Sequence, residues 1–278
     1  MAENPYHLVI EPGRIEKNYW KDLWRYRELF YILSWRDVKV KYKQTVIGVL
    51  WSILRPLLVM GIFTIVFSYF AKLPANIDAP YALFVFTGML PWQFFASSLT
   101  ECSNSLIANT NLVTKVYFPR LIVPASAVIA SFVDFLISLA LLSILLVVYG
   151  YLPPLQILLL PFFLFLSFLV SFSFGLYLTA LNVKYRDFRY IIPFIVQFGL
   201  YISPVGFSSS IVPAKWRIWF DLNPMVGVIN GFRWCILGGS FDNDTKLSIT
   251  ISIFLSLMML VYAIKYFRNT EKTFADTI

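Results

Sequence analysis

Charged side chains gather in one short segment, NVKYRDFRY at residues 182–190, which holds Lys184, Arg186, Asp187 and Arg189. Arginine side chains pair with carboxylates and phosphates, and a carboxylate such as Asp187 can cap or charge the N-terminus of a helix that follows it. The sequence on both sides is uncharged, from 135 to 183 and from 190 to 214. The contrast raises the question of which elements position so compact a polar segment in so apolar a chain.

Side chains for catalysis are scarce. The only histidine is His7, in a polar stretch, so neither histidine-based acid–base catalysis nor a metal cluster is predicted. No GxxxxGK[ST] motif is present, so this chain is not expected to bind ATP through a P-loop. Cys102 and Cys235 fit no metal spacing and are expected to be packing residues. We therefore expect no enzyme activity, no metal and no cofactor in this chain.

Asp134 is the one acidic residue deep within an apolar stretch, about 14 residues or ~21 Å from the start of its predicted helix. An acid at such a depth can be the proton site of an ion-coupled carrier. It can also be a structural partner of a neighbouring hydroxyl group, or a charge that faces an aqueous lumen. The residues alone leave these alternatives open.

Aromatic side chains make up 51 of the 278 residues. Two groups recur at helical spacing and so share a helix face. They are Phe63, Phe67 and Phe70, and Tyr190, Phe194, Phe198 and Tyr201 with Gln197 beside them. Flat aromatic faces stack on the C–H faces of sugar rings without demanding one hydroxyl pattern, which suits a conduit for a long glycan. Packing against lipid or between helices is the alternative for each of these residues.

The elements that must position these residues are membrane helices. The chain is 59% hydrophobic and 14% charged, with a mean hydropathy of +0.71, whereas soluble domains carry about 25% charged residues. The net charge of +8 could indicate nucleic-acid binding, but the charges lie between apolar spans, so no nucleic-acid partner is expected. Because a span needs about 20 apolar residues, the sequence predicts an all-α integral membrane protein with six transmembrane helices. They run approximately over 48–71, 79–100, 121–149, 155–181, 190–204 and 247–267.

Between the third and fourth spans the chain must turn back at YGYLPP, residues 149–154, where Gly and Pro permit it. Residues 211–239 contain an uncharged run too short to cross and predict a short re-entrant helix pair between spans five and six. Residues 19–45 place Trp20, Trp24, Tyr31 and Trp35 at helical spacing among basic residues. This pattern predicts an amphipathic helix in the cytoplasmic interface or, alternatively, a soluble helix of a small cytoplasmic cap.

Lys and Arg residues set the expected orientation. Eighteen of the 23 lie in the N-terminal region, the loop 101–120, the charged segment and the C-terminal tail, and five lie on the other side. By the positive-inside rule both termini are cytoplasmic, and so is the charged segment. No signal peptide is recognisable, so the first span is expected to act as the insertion signal. The predicted division is a cytoplasmic N-terminal region, 1–46, and a six-span membrane domain, 47–278.

Four segments in order along the chain resemble the membrane-spanning subunit of bacterial ATP-binding-cassette exporters of surface polysaccharide. Within this family the chain is similar to the Wzm-like O-antigen permeases, with teichoic-acid and capsule permeases as relatives. The segments are RDVKVKYKQTVIGVLWSILRPL (36–57), NLVTKVYFPRLIVP (111–124), LNVKYRDFRYIIPFIVQFGLYISPV (181–205) and LNPMVGVINGFRW (222–234). The resemblance runs from about residue 24 to 276 and is more specific for the family than for the cargo.

The resemblance implies a homodimer of this chain, two copies of a separate ATPase that binds ATP and Mg²⁺, and a channel between the two permeases. The implied cargo is a polysaccharide on undecaprenyl diphosphate, and the implied location is the bacterial inner membrane. It assigns ATPase coupling to Lys115, Arg120, Lys184, Arg186, Asp187 and Arg189, and the glycan channel to both aromatic groups and Gln197. It assigns lipid-diphosphate entry to Arg55 and the exit gate to Trp216, Trp219 and Arg233.

Each of these assignments has a simpler alternative. A basic coupling residue can be an ordinary cytoplasmic charge that obeys the positive-inside rule. Arg55 can extend its guanidinium group to the membrane surface while its aliphatic part stays in the apolar region. Arg233 can contact a glycan or a lipid phosphate, or it can reach the surface in the same way.

Overall fold

A computed structural model of the chain describes residues 19–43, 46–72 and 79–274, with side chains from residue 53 onward in the second range. The described residues form helices and turns and contain no strand. The helices are α1 (Tyr19–Arg25), α2 (Arg27–Lys43), α3 (Val46–Thr64), α4 (Tyr81–Ala108), α5 (Thr110–Lys115), α6 (Ile122–Val148), α7 (Leu160–Lys184), α8 (Phe188–Ile202), α9 (Ala214–Asp221), α10 (Pro224–Leu237) and α11 (Asn243–Glu271). A π-helical segment, Ile65–Phe70, continues α3, and a 3₁₀ turn, Leu155–Leu159, leads into α7.

Five helical segments are long and apolar enough to cross a membrane: Ile53–Phe70, α4, α6, Leu155–Lys184 and α11. The predicted integral membrane protein is thereby confirmed as an all-helical one. The segment predicted as the fifth span corresponds to α8, which has 15 residues and a length of ~22 Å, against a hydrocarbon thickness of ~30 Å. The count of six spans therefore stays a prediction, as does the domain boundary at residue 46.

The predicted turn between the third and fourth spans is present at residues 149–154. Gly150 has a φ of +63°, a backbone conformation that glycine adopts without steric cost. The Tyr151 hydroxyl group donates to the Leu237 carbonyl at 2.5 Å. This hydrogen bond attaches the turn to the end of α10. The chain reverses direction at the turn, so α6 and α7 are antiparallel.

The predicted re-entrant pair corresponds to α9 and α10, two short helices before α11. Asn223 caps α10, because its side chain accepts a hydrogen bond from the Met225 amide at 3.0 Å. The N-terminal amphipathic segment forms α1 and α2, joined at Tyr26 by continuous backbone bonding. Its four predicted interface aromatics, Trp20, Trp24, Tyr31 and Trp35, are all exposed.

The main core is built around α4, which packs against α6, α7 and α10. Phe94 stacks with Phe135 at a centroid distance of 5.1 Å and with Phe168 at 6.5 Å. Glycines allow the close crossings: a Cβ on Gly231 would lie 2.0 Å from the Phe163 ring. In contrast, α3 and α8 lie at the periphery. Most apolar side chains of α8 are exposed, and the described apolar side chains of α3, Pro56 apart, are half-buried or exposed.

A second, smaller core lies where α4, α7 and α11 end and α5 begins, and we call this the α5 end of the molecule. Its buried residues come from seven helices and include Tyr19, Leu33, Val113, Phe267 and, after α11, Phe274. The opposite end, where α4 and α11 begin and α9 and α10 lie, is the α9–α10 end. The two ends hold different candidate sites.

Candidate functional site

The fold leaves the aromatic face of α8 uncovered. Tyr190, Phe194, Phe198 and Tyr201 are 55–80% exposed, and Gln197 on the same helix is exposed as well. The Phe194 and Phe198 rings are nearly parallel, with centroids 5.4 Å apart. On the other side of α8, Gly199 lies against the buried Trp92 ring. The helix is thus anchored on one face and presents a continuous aromatic surface on the other.

The three aromatic residues of the first long helical segment, Phe63, Phe67 and Phe70, differ in exposure. Phe70 is exposed, whereas Phe63 and Phe67 are half-buried and lie against Gly206, where an added Cβ would come within 3 Å of both rings. The Tyr81 hydroxyl group donates to the Gly206 carbonyl at 2.6 Å. The group therefore braces the connection that follows α8, and its assignment to a glycan channel stays a prediction.

At the α5 end, Asn182 joins α7, which ends at the predicted coupling residue Lys184, to α4, which is followed by α5 with Lys115. Its amide nitrogen donates to the Ser103 carbonyl at 2.9 Å and to the Asn104 side-chain oxygen at 3.3 Å. Asn182 is fully buried and lies two residues before Lys184. Helix α4 ends four residues after Asn104, and α5 follows directly. The bonds of Asn182 therefore hold the charged segment and the start of α5 close together. The neighbours of Asn182 in the sequence do not predict this role, because its partners lie 78 and 79 residues away.

The charged segment runs from the end of α7 through a turn at residues 185–187 into the start of α8, and it does not form a helix of its own. Lys184, Arg186, Asp187 and Arg189 are all exposed. Lys184 lies over the Tyr185 ring at 5.2 Å. Asp187 occupies the N-cap position of α8, but its side chain makes no capping hydrogen bond, so its contribution to α8 is limited to its charge near the helix N-terminus.

Arg120 is more restrained than its predicted role as a surface coupling residue suggests. Its backbone amide donates to Glu271 Oε1 at 2.8 Å, and its guanidinium group donates to the Glu271 carbonyl. Arg268 lies 4.5 Å above the Tyr19 ring. Burial and the neighbouring Glu271 carboxylate raise the pKa of Tyr19, so its hydroxyl group stays protonated. These contacts lock α1, the start of α6 and the end of α11 together, while Lys115 remains exposed.

The N-terminal helix α2 is attached to this end and runs along α6. Arg36 donates to the Asn109 side chain at 2.9 Å, between α4 and α5. Further along α2, Lys41 forms an ion pair with Asp134, and the Tyr42 hydroxyl group also donates to that carboxylate. Of the alternatives that the sequence left open for Asp134, this geometry favours a structural partner. Arg55, the predicted lipid-diphosphate entry residue, is exposed on α3.

At the α9–α10 end, Arg233 is buried and bonded to backbone carbonyls. The side chain is 4% exposed, and its guanidinium group donates to the carbonyls of Phe84 (3.3 Å), Val205 (2.7 Å) and Phe207 (3.0 Å). It also lies 3.6 Å from the centre of the Phe84 ring. The guanidinium group therefore does not extend to the membrane surface, and the assignment of Arg233 to the exit gate stays a prediction. Arg233 instead connects α10, α4 and the segment after α8.

Trp216 and Trp219, the other predicted exit-gate residues, lie on α9 and are 59% and 67% exposed. They are available for contact outside the protomer, unlike Arg233. No group of three or more His, Cys, Asp or Glu residues that could hold a metal ion occurs within residues 19–43, 46–72 and 79–274.

The all-helical architecture, the five long apolar helices and the uncovered faces of α3 and α8 define a multi-pass integral membrane protein. The family model described as ABC-2 type transporter matches residues 28–237, from α2 to the end of α10. The chain belongs to this ABC-2 transporter membrane family, as the resemblance noted from the sequence had indicated.

Individual relatives cover nearly the whole chain. An "O-antigen export system permease protein RfbA" of Klebsiella pneumoniae is 28% identical over 90% of this chain and 95% of its own length. A protein of the same name from Myxococcus xanthus is 26% identical over 93% and 98% of the two chains. The "Polysialic acid transport protein KpsM" of Escherichia coli is 22% identical over 85% and 91%. Relatives of this chain are thus transport permeases and are not named as enzymes.

Proposed function

We propose that this chain is the permease of an exporter that carries O-antigen, linked to undecaprenyl diphosphate, across the bacterial inner membrane. The observation that carries the proposal is the likeness to O-antigen export permeases over nine-tenths of the chain. The exposed aromatic face of α8 supports it, because stacked rings suit the weak, repeated contacts that a long glycan needs. The cargo is a polymer of sugars, and the chain is the conduit for it.

ATP hydrolysis drives export in a separate subunit, which binds ATP and Mg²⁺, and two copies of that subunit serve a homodimer of this chain. The α5 end is the docking surface for the ATPase. Its exposed cations, Lys115, Lys184, Arg186 and Arg189, can pair with acidic groups on the ATPase. Asn182 and Arg120 carry a displacement of this surface into α4, α7 and α11, because they bond directly to those helices or to the ends of them.

Both termini lie in the cytoplasm in this proposal, with the α5 end facing the ATPase and the α9–α10 end facing outward. The excess of Lys and Arg at the α5 end supports this orientation. Arg55 receives the diphosphate of the lipid carrier on the cytoplasmic side, and the exposed tryptophans of α9 lie at the exit.

Capsular polysaccharide is the second candidate cargo, and the likeness to a polysialic acid transport protein supports it. The lower identity of that relative, 22% against 28%, favours O-antigen. Teichoic acid export has no comparable support.

The decisive experiment is depletion of this protein in its host, followed by analysis of surface polysaccharide and lipid-linked glycan. Spheroplasts treated with a membrane-impermeant glycan label distinguish glycan of the inner leaflet from that of the outer leaflet. We expect long, lipid-linked polymer to accumulate on the cytoplasmic side while surface polymer is lost, and its composition identifies the cargo. Re-expression of the wild-type chain should restore the surface polymer. Normal surface glycan without accumulation would refute the proposal.

A further inference from the structure

A polar cavity of ≈ 180 Å³ lies at the α9–α10 end of the molecule. Its walls come from the segment after α8, from α9 and α10, and from the start of α11. Among the side chains that line it are Arg217, Asp221, Asn230, Arg233, Trp234 and Asp244. The cavity is separate from the exposed aromatic face of α8 and from the α5 end, so neither of those proposed roles accounts for it.

Asp221 is the group in this cavity that lacks a partner. It is 3% exposed, and its Oδ2 has no hydrogen-bond partner among the described residues. Burial raises the pKa of Asp221, and the Arg217 guanidinium group opposes that rise only in part. Arg217 is itself occupied, since it forms an ion pair with Asp244 and donates to the Ser209 carbonyl at 3.5 Å. A buried acceptor without a donor is costly, and a ligand that supplies a donor removes this cost.

The mixed charge of the lining decides which ligand class fits. A bare cation is disfavoured, because two guanidinium groups line the cavity and the described residues offer no metal-ligating cluster. A phosphate or carboxylate is disfavoured by Asp221 and Asp244. A neutral polyol suits the lining, because each of its hydroxyl groups can donate to a carboxylate and accept from an amide or a guanidinium group.

Two further features agree with a single sugar ring. The Asn230 side-chain oxygen accepts from the Ser209 hydroxyl at 2.8 Å, and its nitrogen donates to the Ser248 hydroxyl at 3.4 Å. These two bonds fix the amide, so its second N–H is a positioned donor. Trp234 lies at the wall, with its ring 4.3 Å from that of Phe241, and supplies an aromatic surface beside the polar groups. A few positioned polar groups beside an aromatic wall are the usual composition of a small-molecule site.

We propose that this cavity binds one sugar unit of the transported glycan, with Asp221 accepting a hydrogen bond from a ring hydroxyl and Asn230 donating one. This inference rests on the proposed glycan cargo and extends it, because it assigns a second contact point away from the α8 face. The site lies on the outward side in the proposed orientation, where it would hold the polymer after it has passed the membrane.

The test is a binding measurement on the purified full-length chain in lipid nanodiscs. The probe is oligosaccharide released by mild acid from the host's own surface polysaccharide and labelled at the reducing end, with binding followed by fluorescence anisotropy. The variants are Asp221→Asn, which keeps the shape of the side chain, and Asn230→Ala. Asn243→Ala is the matched control, because Asn243 is an exposed residue close to the cavity that does not line it. Thermal unfolding of each variant verifies that it is folded.

We expect each cavity variant to bind at least about tenfold more weakly than the wild type, and Asn243→Ala to bind like the wild type. Equal binding by all four proteins, or no binding by the wild type, would overturn the inference. The wild type and Asp221→Asn are also titrated with calcium chloride and with sodium phosphate. If the wild type binds either ion tightly and Asp221→Asn does not, the assignment to a sugar is overturned.

The failure of this inference is distinguishable from the failure of the proposed function. If depletion of the protein traps glycan in the cell while Asp221→Asn binds oligosaccharide normally, export stands and the cavity is not a sugar site. If depletion leaves surface glycan unchanged, the proposed function itself is refuted, whatever the cavity binds.

Discussion

Arg233 illustrates how a polar side chain is accommodated in an apolar interior at the scale of a single residue. Its guanidinium group reaches three carbonyls on two other parts of the chain, 149 residues away at Phe84 and 26–28 residues away after α8. Gly88 leaves room for this guanidinium group, because a Cβ at position 88 would lie 2.6 Å from Arg233 Nη2. Only the planar, many-donor geometry of arginine satisfies such an arrangement.

Replacing Arg233 by Met should lower the free energy of unfolding by roughly 2–3 kcal/mol, because buried carbonyls would lose a charged donor. Arg233→Lys should recover part of this loss, since an ammonium group can reach fewer of the three carbonyls. The measurement is unfolding of the purified protein in detergent, followed by circular dichroism. Lys215→Met, at an exposed position on α9, is the control and should unfold like the wild type. Wild-type stability of Arg233→Met would contradict the structural role.

Asp134 provides a second test at this scale. We expect Asp134→Asn to reduce stability by about 1 kcal/mol, the value of a partly exposed ion pair, and to retain most of the export activity. A double-mutant cycle with Lys41→Met measures the coupling of the pair directly. Export that is lost in Asp134→Asn, together with export by the wild type that stops when a protonophore collapses the proton gradient while ATP is maintained, would support the ion-coupled alternative.

At the scale of secondary-structure elements, the α5 end brings separate segments into one packed unit. Asn182 fixes the end of α7 to the end of α4, and Arg120 fixes the start of α6 to the end of α11. Arg36 attaches α2 at the same place. A force applied to the turn between α7 and α8 is therefore transmitted to several helices and is not absorbed by one flexible loop.

The double substitution Arg186→Ala and Asp187→Ala should uncouple ATP hydrolysis from export. Both side chains are exposed and make no capping contact, so insertion and stability should be unchanged. The measurement is ATP hydrolysis and glycan export by the reconstituted complex, with insertion checked by membrane fractionation. Asn243→Ala with Lys246→Ala, exposed residues at the opposite end, is the matched control. Unchanged export in the Arg186 and Asp187 variant would count against a coupling role for the segment.

At the scale of the whole molecule, the protomer has a well-packed interior around α4 and an uncovered apolar flank formed by α3 and α8. A helix whose exposed face is aromatic over about three turns either meets lipid, meets a second copy of the chain or lines a passage. The short length of α8 distinguishes it from the five long helices and suits a position beside a passage better than one against the full thickness of the bilayer.

Replacing Phe194 and Phe198 by Ala should slow glycan export several-fold, because two stacking surfaces worth about 1 kcal/mol each would be lost. Phe165→Ala with Phe254→Ala is the matched control, since these phenylalanines are as exposed but lie on α7 and α11. The measurement is the rate at which labelled surface polymer appears after export is restarted in cells. Equal rates in the two double variants would make the α8 aromatics lipid-facing packing residues.

Much of the architecture is determined locally and could be predicted from the sequence. Long apolar runs must be helical in a membrane, the Gly–Pro turn at 149–154 must reverse the chain, and the re-entrant pair follows from an apolar run too short to cross. Each of these conclusions depends on neighbouring residues alone. The basic residues likewise predict an orientation because the positive-inside rule only counts charges.

The tertiary structure decided the partners of individual polar groups, because these partners are distant in sequence. The sequence alone could not show that the guanidinium group of Arg233 has its acceptors on α4 and beyond α8. The spacing of residues could not pair Lys41 with Asp134, 93 residues apart, or join Asn182 to Ser103. The cavity around Asp221 exists only where four segments meet. Hydrogen bonds and cavities are properties of groups brought together by packing, and a linear pattern contains no information on which groups those are.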